Sequence, residues 1–177
     1  MIAIFAIIMA SLALVQTLFF SEAEAGRRGA AIILLALGLV FAYYVIPYLD
    51  LRDDHLVIVN PIFRHEIGLG AIEYVDTRYA LNVSGDFGKV SAWAAPAPGR
   101  LRHRTHSRED FRSLNLKEGA NVRPSDLPST ISGSYALLIK RALEKPQTNS
   151  SYAKRINTLG VGLILLPALA VIFTQLT

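Results

Sequence analysis

Three long apolar segments divide the sequence, and no Lys, Arg, Asp or Glu occurs in residues 2–20, 30–49 or 159–173. The first segment, IAIFAIIMASLALVQTLFF, is long enough as a helix to cross a hydrocarbon core of about 30 Å. We therefore expect a first transmembrane helix over residues 1–21. The alternative is a secretory signal, because Ala23-Glu24-Ala25 has the small-x-small form of a cleavage site. The length of the apolar run favours the membrane span over the signal.

The second segment predicts a transmembrane helix over residues 29–49. Its far end carries three tyrosines, Tyr43, Tyr44 and Tyr48. Tyrosine rings are enriched at the level of the lipid headgroups. Pro47, at the same end, can end the helix or kink its last turn. The short link between the first two spans predicts an antiparallel hairpin. Gly38 and Ala42, four residues apart, would let the helices of that hairpin approach closely.

The third segment predicts a transmembrane helix over residues 157–175. Its apolar core, LGVGLILLPALAVIF, is short for a span and contains Pro167. A helix lying in the membrane interface is therefore the alternative. We favour a span, because Thr158 and residues 174–176 can extend the segment and Lys154 with Arg155 can anchor it at the interface.

Between the second and third spans, short apolar runs separated by turn residues predict a small antiparallel β domain over residues 51–145. The predicted strands are His55–Val59, Ile62–Leu69, Ala71–Arg78, Tyr79–Val83 and Phe87–Trp93. The second of these alternates, with Phe63, His65, Ile67 and Leu69 on one face and Arg64 and Glu66 on the other. Trp93, the one tryptophan of the chain, is expected in the core of the sheet, and a position at an interface rim is the alternative.

A basic loop over residues 96–128 follows the predicted sheet. Its candidate lipid- or partner-contacting residues are Arg100, Arg102, Arg104, Arg108 and Arg112. Basic groups near a membrane surface are attracted to anionic headgroups, each by about 1 kcal/mol. An acidic protein surface is a second possible ligand, and a solvated loop without a ligand is the alternative to both. His103 and His106 fit a metal site poorly, because the surrounding arginines disfavour a cation.

A helix is predicted over residues 132–144 after this loop. Ser132 is the expected N-cap, because a serine side chain can accept a hydrogen bond from the first turn. Leu137, Leu138 and Leu143 are the expected apolar stripe.

Part of the β region resembles a known family. The strings are LRDDHLVIVNP, AIEYVDT and GDFGKVSAWAAPAPGR. They are similar to the small bacterial PH-like domains found in actinobacterial membrane proteins, with Val57–Pro61, Ile72–Val75 and Gly85–Ala95 at the corresponding positions. The resemblance implies a PH-like barrel whose open end is plugged by the C-terminal helix, and it does not imply phosphoinositide binding. The predicted strands are few for a seven-stranded barrel, so a half-barrel or an incomplete sheet is the alternative.

Charge and composition limit the function further. Residues 50–157 hold 16 of the 18 basic and 12 of the 14 acidic residues, so the net charge of +4 resides there. A surplus of this size suits an anionic membrane surface and is too small to argue for nucleic acid. The chain has no Cys, and no nucleophile turn, phosphate loop or metal-ligand spacing is present. We therefore expect no catalytic residue, no metal, no cofactor and no enzymatic activity.

The basic residues near the predicted membrane ends indicate the sidedness. Six of them lie on the side of the β domain: Arg52, Lys140, Arg141, Lys145, Lys154 and Arg155. Only Arg27 and Arg28 lie opposite, so the positive-inside rule places the domain in the cytoplasm of a multi-pass cell-membrane protein.

Two functions fit these patterns. The first is a non-catalytic, membrane-anchored PH-like binding or scaffold module that contacts membrane lipid or an integral-membrane protein partner at the cytoplasmic face. The second is an accessory subunit of a larger membrane complex, such as a respiratory or transport assembly, in which the spans would be the main binding surface.

Overall fold

The structure is a computed structural model that describes residues 2–20, 22–98 and 124–176. In chain order its elements are α1 (Ile2–Phe20), α2 (Ala23–Val40) with a π-helical turn (Phe41–Val45), β1 (Tyr48–Leu51), β2 (His55–Val59), β3 (Phe63–Gly68), β4 (Tyr74–Asp76), β5 (Ala80–Gly85), β6 (Gly88–Pro96), α3 (Ile131–Leu143), β7 (Tyr152–Ile156) and α4 (Thr158–Leu176). They form a helical unit, made of α1, α2, α4 and the turn at residues 60–63, and a β unit that contains the sheets and α3.

Within the helical unit, α2 packs against both α1 and α4. It begins at Ala23, six residues before the predicted start of the second span. In the polar first turns Arg28 and Glu24, one turn apart, form an ion pair of 2.8 Å, which adds a small stabilisation to the helix. Arg28 Nε also donates to the carbonyl oxygen of Thr174 at 3.2 Å. That contact joins the start of α2 to the end of α4, so the two helices run antiparallel.

α2 and α4 approach each other closely at Gly38. A Cβ atom at this position would collide with the carbonyl oxygen of Leu163. Pro167 lies four residues after Leu163 and has no N–H to donate to that carbonyl. The Cα–H of Gly38 therefore approaches a carbonyl that the helix itself cannot satisfy, a weak but recurrent helix–helix contact. Ala42, one turn further along, is fully buried.

Asn157 fixes the start of α4. Its side-chain oxygen accepts from Gly160 N at 3.3 Å, and its side-chain nitrogen donates to the carbonyl oxygen of Asn60 at 2.9 Å. Its backbone N–H donates to Ile62 O at 2.8 Å. The turn between β2 and β3 is thereby bound to the first turn of α4, and both belong to the helical unit.

Two helical stretches in the described part of the chain are long and apolar enough to cross a membrane. They are Glu24–Val45 and Thr158–Leu176, and residues Ile8–Thr17 of α1 form a shorter apolar helix. Of the most apolar part of each stretch, 22% is buried in the first and 6% in the second. Most of the apolar side chains of α4 therefore face outward.

The β unit contains a four-stranded sheet in the order β1-β2-β3-β7 and a three-stranded sheet in the order β4-β5-β6. The hairpins β1–β2, β2–β3, β4–β5 and β5–β6 are antiparallel. Among the described strands, neither sheet closes on itself into a barrel.

One hydrophobic core joins the two sheets and α3. It includes Leu56, Ile58 and Ile67 from the first sheet and Leu81 and Val83 from the second. On α3 the buried positions are Ser132, Gly133, Ala136 and Ile139.

The structure corrects the predicted cap and apolar stripe of α3. The N-cap is Thr130, whose hydroxyl oxygen accepts from Gly133 N at 3.0 Å, and not Ser132. Of the predicted stripe, Leu143 packs against the core and Leu138 is exposed. Once Thr130 sets the start of the helix, Ala136, Ile139 and Leu143 share one face, because they are three and four residues apart.

The sequence prediction missed β1 and β7, the two edge strands of the four-stranded sheet. Residues 48 and 49 fall within the predicted second span, and β7 lies between the predicted β domain (51–145) and the predicted third span (157–175). β7 is mostly exposed and carries Lys154 and Arg155, so it lacks the alternation that marks a half-buried strand. Residues 149–151 pack beside β3: a Cβ atom at Gly68 would collide with Asn149 O.

Trp93 is also a correction, because its side chain is 52% exposed and not in the core. Val90 and Ala92 of the same strand face inward, and Trp93 therefore points to the other face of the sheet. The alternation of residues along β6 could have indicated this, since Val90 and Ala92 face inward and Trp93 follows directly after Ala92.

A glycine pair tests the contact between α2 and α4. We expect Gly38→Ala to lower the free energy of unfolding by about 1–3 kcal/mol, because the methyl group would force the helix backbones apart. Gly162→Ala in α4 is the matched control, since no atom lies within 4 Å of its Cβ position. The control should stabilise the helix by up to about 1 kcal/mol. SDS-induced unfolding of the full chain in mixed micelles measures both, and equal effects would contradict the packing.

Candidate binding surfaces

The predicted arginine set lies outside the described residues. Arg100, Arg102, Arg104, Arg108 and Arg112 fall in residues 99–123, as do His103 and His106. These residues remain candidates from the sequence.

A cleft lies between β4 and α3 in the β unit. It has a volume of about 370 Å³. Its lining residues come from both elements and from the turn before α3: Glu73, Tyr74, Val75, Asp76, Asp126, Lys140 and Leu143. β4 is the outer strand of the three-stranded sheet, so the cleft runs along a strand edge.

A network of hydroxyl groups fixes the turn that carries Asp126. The Thr77 hydroxyl, buried at the end of β4, donates to the Asp126 carboxylate and lies 3.2 Å from Ser125 Oγ. Ser132 Oγ donates to Ser125 O at 3.1 Å, and Thr130 Oγ1 donates to Leu127 O at 2.8 Å. The turn is thus tied to β4 on one side and to the start of α3 on the other, which holds the floor of the cleft in place.

The described lining of the cleft is mostly acidic. Three carboxylates, Glu73, Asp76 and Asp126, line it beside one ammonium group, Lys140. Asp76 and Asp126 each take part in a further interaction, so neither carboxylate is without a partner. Sequence reasoning missed this surface, because residue 126 is separated from the other two carboxylates by at least 50 positions of the chain.

A second concave surface lies in the helical unit between α2 and α4. It also measures about 370 Å³. Its lining is apolar and consists of Leu34, Leu37, Gly38, Phe41, Leu163, Leu166, Pro167 and Ala170. Such a groove offers dispersion contacts to a lipid chain or another helix and contains no group for chemistry.

His65 is the buried titratable group of the β unit whose pKa is shifted. The Tyr152 hydroxyl lies 3.0 Å from His65 Nδ1, and the Tyr152 ring stacks on Phe87 with centroids 4.8 Å apart. Burial lowers the pKa of His65 below its usual value, and the nearby charge of Lys154 lowers it further. The cluster joins β3, β7 and the turn between β5 and β6. In the described residues, no three His, Asp or Glu side chains come together as metal ligands.

Comparison with known proteins gives no match, whether to a family model, to a curated protein or to a solved structure.

The lowered pKa of His65 predicts how stability depends on pH. The unfolded chain binds a proton at this histidine near pH 6.5, whereas the folded β unit binds it at a lower pH. The contribution of His65 to the free energy of unfolding is therefore fully present above about pH 6.5. It is lost as the pH falls, by at most about 1.4 kcal/mol per pH unit, until the folded pKa is passed.

Urea unfolding followed by Trp93 fluorescence measures this effect, since the chain has one tryptophan and it lies in β6. We expect wild type to lose more stability than His65→Gln between pH 7.5 and pH 5.5. Equal losses would assign the pH dependence to other groups.

Proposed function

We propose that this chain is a non-catalytic, membrane-anchored PH-like module that binds a protein partner or anionic lipid at the cytoplasmic face of the cell membrane. The observation that carries the proposal is the continuity of the edge strands with the apolar helices. Ile46 and Pro47 alone separate the π-helical turn from β1, and Asn157 alone separates β7 from α4. The four-stranded sheet is thus joined to an apolar helix at both of its edges.

The exposure of the helices supports the membrane part of the proposal. A core helix of a soluble protein buries most of its apolar surface, whereas 6% of the most apolar part of the α4 stretch is buried. Large outward side chains such as Leu166, Phe173 and Leu176 need an apolar solvent. With α1, the three helices form a multi-pass anchor.

The short links support a function at the membrane surface. An extended link of two residues spans about 7 Å at most. A β unit joined to two membrane helices by links of this length stays beside the headgroups, so its ligands are those found there.

The element content supports the PH-like assignment. Seven strands in a four-stranded and a three-stranded sheet, with a helix packed on the shared core, are described in this chain. The basic residues near the membrane ends on the β side, among them Arg52, Lys154 and Arg155, support the cytoplasmic location.

An accessory-subunit function is the second candidate, and the apolar groove between α2 and α4 favours it. A transmembrane helix of a larger complex could lie along Leu34, Phe41 and Leu166. In that case the helical unit would be the binding surface and the β unit a brace.

The absence of Cys from the chain allows a direct test of the topology by single-cysteine variants. We expect the full chain to stay in the membrane after alkaline carbonate extraction. Asp86→Cys, in the exposed turn between β5 and β6, should react with a membrane-impermeant maleimide only after the cells are permeabilised. Glu22→Cys, in the link between α1 and α2, should react in intact cells.

Each other outcome removes a defined part of the proposal. Release by carbonate contradicts the membrane anchor. Labelling of Asp86→Cys in intact cells contradicts the cytoplasmic face, and protection of Glu22→Cys in intact cells contradicts the first span.

A further inference from the structure

We propose that a row of side chains across one end of the four-stranded sheet binds the phosphate of an anionic phospholipid headgroup. The row consists of Tyr48, Arg64 and Arg155, all in the β unit, and we call it the terminal row. The inference rests on the proposed function and deepens it by naming the surface and the class of lipid.

The pairing of β3 with β7 places the two arginines side by side. Two backbone hydrogen bonds frame this pair of strands, from Gly68 N to Ser151 O and from Asn157 N to Ile62 O. The strands are therefore antiparallel, and the same register between the two bonds puts Arg64 opposite Arg155 and His65 opposite Lys154. This register agrees with the charge of Lys154 lowering the pKa of His65. Side chains directly opposite in such a pair have Cβ atoms about 5 Å apart.

The terminal row lies on the outer face of the sheet. Ile67 of β3 belongs to the core, so Arg64, of the other parity, points outward. Tyr48 pairs with Val59 and Val59 with Arg64, so the tyrosine lies in the same row at the opposite edge of the sheet. Its side chain is 45% exposed, and that of Arg155 is exposed as well.

Two cations directly opposite each other destabilise a sheet, and a bound anion removes this cost. Glu66 accepts from Arg64 Nε at 3.0 Å and from Arg64 Nη2 at 2.9 Å. None of the ion pairs of the described residues includes Arg155. One carboxylate thus serves two guanidinium groups, and a further anion would balance the second.

The terminal row lies at the end of the sheet from which the apolar helices continue. Tyr48 is the first residue of β1, and two residues separate Arg155 from α4. Three extended residues span about 10 Å. The headgroup layer on each side of the hydrocarbon core is about 5–7 Å thick. With α4 across the membrane, the Arg155 guanidinium therefore stays within reach of the headgroup phosphates.

The order of charges on this face suits an anionic surface. Asp50 and Glu66 both pair with Val57, so these carboxylates form the next row, two residues further from the helices. A negatively charged membrane surface would meet the arginines before it meets the carboxylates. This is the arrangement that electrostatic complementarity requires.

The residue types fit a phosphate in particular. The planar guanidinium group matches phosphate oxygens with two parallel hydrogen bonds, and an ammonium group does not. The exposed Tyr48 ring is of the kind enriched at headgroup level. The depth of the terminal row favours a lipid over an acidic protein segment, because lipid phosphates are present there at all times.

The test uses the full chain in micelles of a neutral detergent. The probes are phosphatidylglycerol, which is anionic, and phosphatidylcholine, which is zwitterionic. Native mass spectrometry measures how much of each lipid stays bound at equal concentration. We expect phosphatidylglycerol to be retained about tenfold more than phosphatidylcholine, because two basic groups attract the anionic headgroup. Inorganic phosphate at the same concentration should not displace it.

Substitutions of single arginines locate the site. Arg155→Gln should lower retention of phosphatidylglycerol about fivefold, since it removes one basic group. Arg155→Lys keeps the charge but not the planar donors, so its retention should lie between that of wild type and that of Arg155→Gln. Arg78→Gln is the matched control, because Arg78 is exposed in the turn between β4 and β5, outside the terminal row. It should change retention less than about twofold.

Urea unfolding followed by Trp93 fluorescence gives an independent readout. In neutral detergent without phosphatidylglycerol, Arg155→Gln should have a higher urea midpoint than wild type, because it removes the repulsion between the two arginines. Added phosphatidylglycerol should raise the midpoint of wild type more than that of Arg155→Gln. A lower midpoint for Arg155→Gln in detergent alone would contradict the unbalanced arginine pair.

Three results on retention would overturn the inference: equal retention of the two lipids, displacement by inorganic phosphate, or equal losses in Arg155→Gln and Arg78→Gln. Displacement of phosphatidylglycerol by a glutamate hexapeptide would assign the terminal row to an acidic protein segment instead. Failure on any of these counts leaves the membrane anchor and a protein partner standing. Release of the chain by carbonate would contradict the anchor without changing lipid retention in micelles.

Discussion

The amide side chain of Asn157 lies at the junction where β7 ends and α4 begins. With one group it accepts from Gly160 N, as an N-cap does, and with the other it donates to Asn60 O. A carboxylate could cap the helix but could not donate, and a lysine could donate but could not cap. Gly160 is required beside it, because a Cβ atom there would collide with Pro61 O. The strand, the hairpin turn and the helix therefore meet through one side chain that needs both functions.

The same demand for satisfied backbone groups shapes the helices. Pro167 has no N–H, so Leu163 O lacks the donor that an α-helix normally supplies four residues later. Gly38 brings a Cα–H group close to that oxygen, and a larger residue at this position would separate the two helices. At the other end, Arg28 donates to Thr174 O, which is among the last carbonyls of α4. Apolar composition predicts that these segments are helices, but these backbone contacts decide how α2 and α4 pair.

The sequence predicts those features of the fold that depend on residues close together in the chain. The apolar runs and the alternation of residues 63–69 depend on neighbouring residues, and the structure has helices over most of each run. Of the predicted inward face, His65, Ile67 and Leu69 are buried, whereas Phe63 at the start of β3 is exposed. β1 was missed because Tyr48 and Leu49 continue the apolar run of the predicted second span, and β7 because it pairs with the distant β3 and shows no alternation. The cleft was missed because its carboxylates come from distant parts of the chain, Glu73 and Asp76 at β4 and Asp126 in a separate turn. The loop over residues 96–128 was named from its arginines, and its central part lies outside the described residues.

The outer strands β4 and β7 differ in the charges that their side chains carry. Lysine and arginine on an edge strand are a common protection against unwanted pairing, and β7 has exposed Lys154 and Arg155. A single residue separates β7 from α4, which restricts the movement of this strand. β4 has one acidic residue, Asp76, and no basic residue. Of these two outer strands, one in each sheet, β7 alone carries basic side chains of the kind that protect an edge.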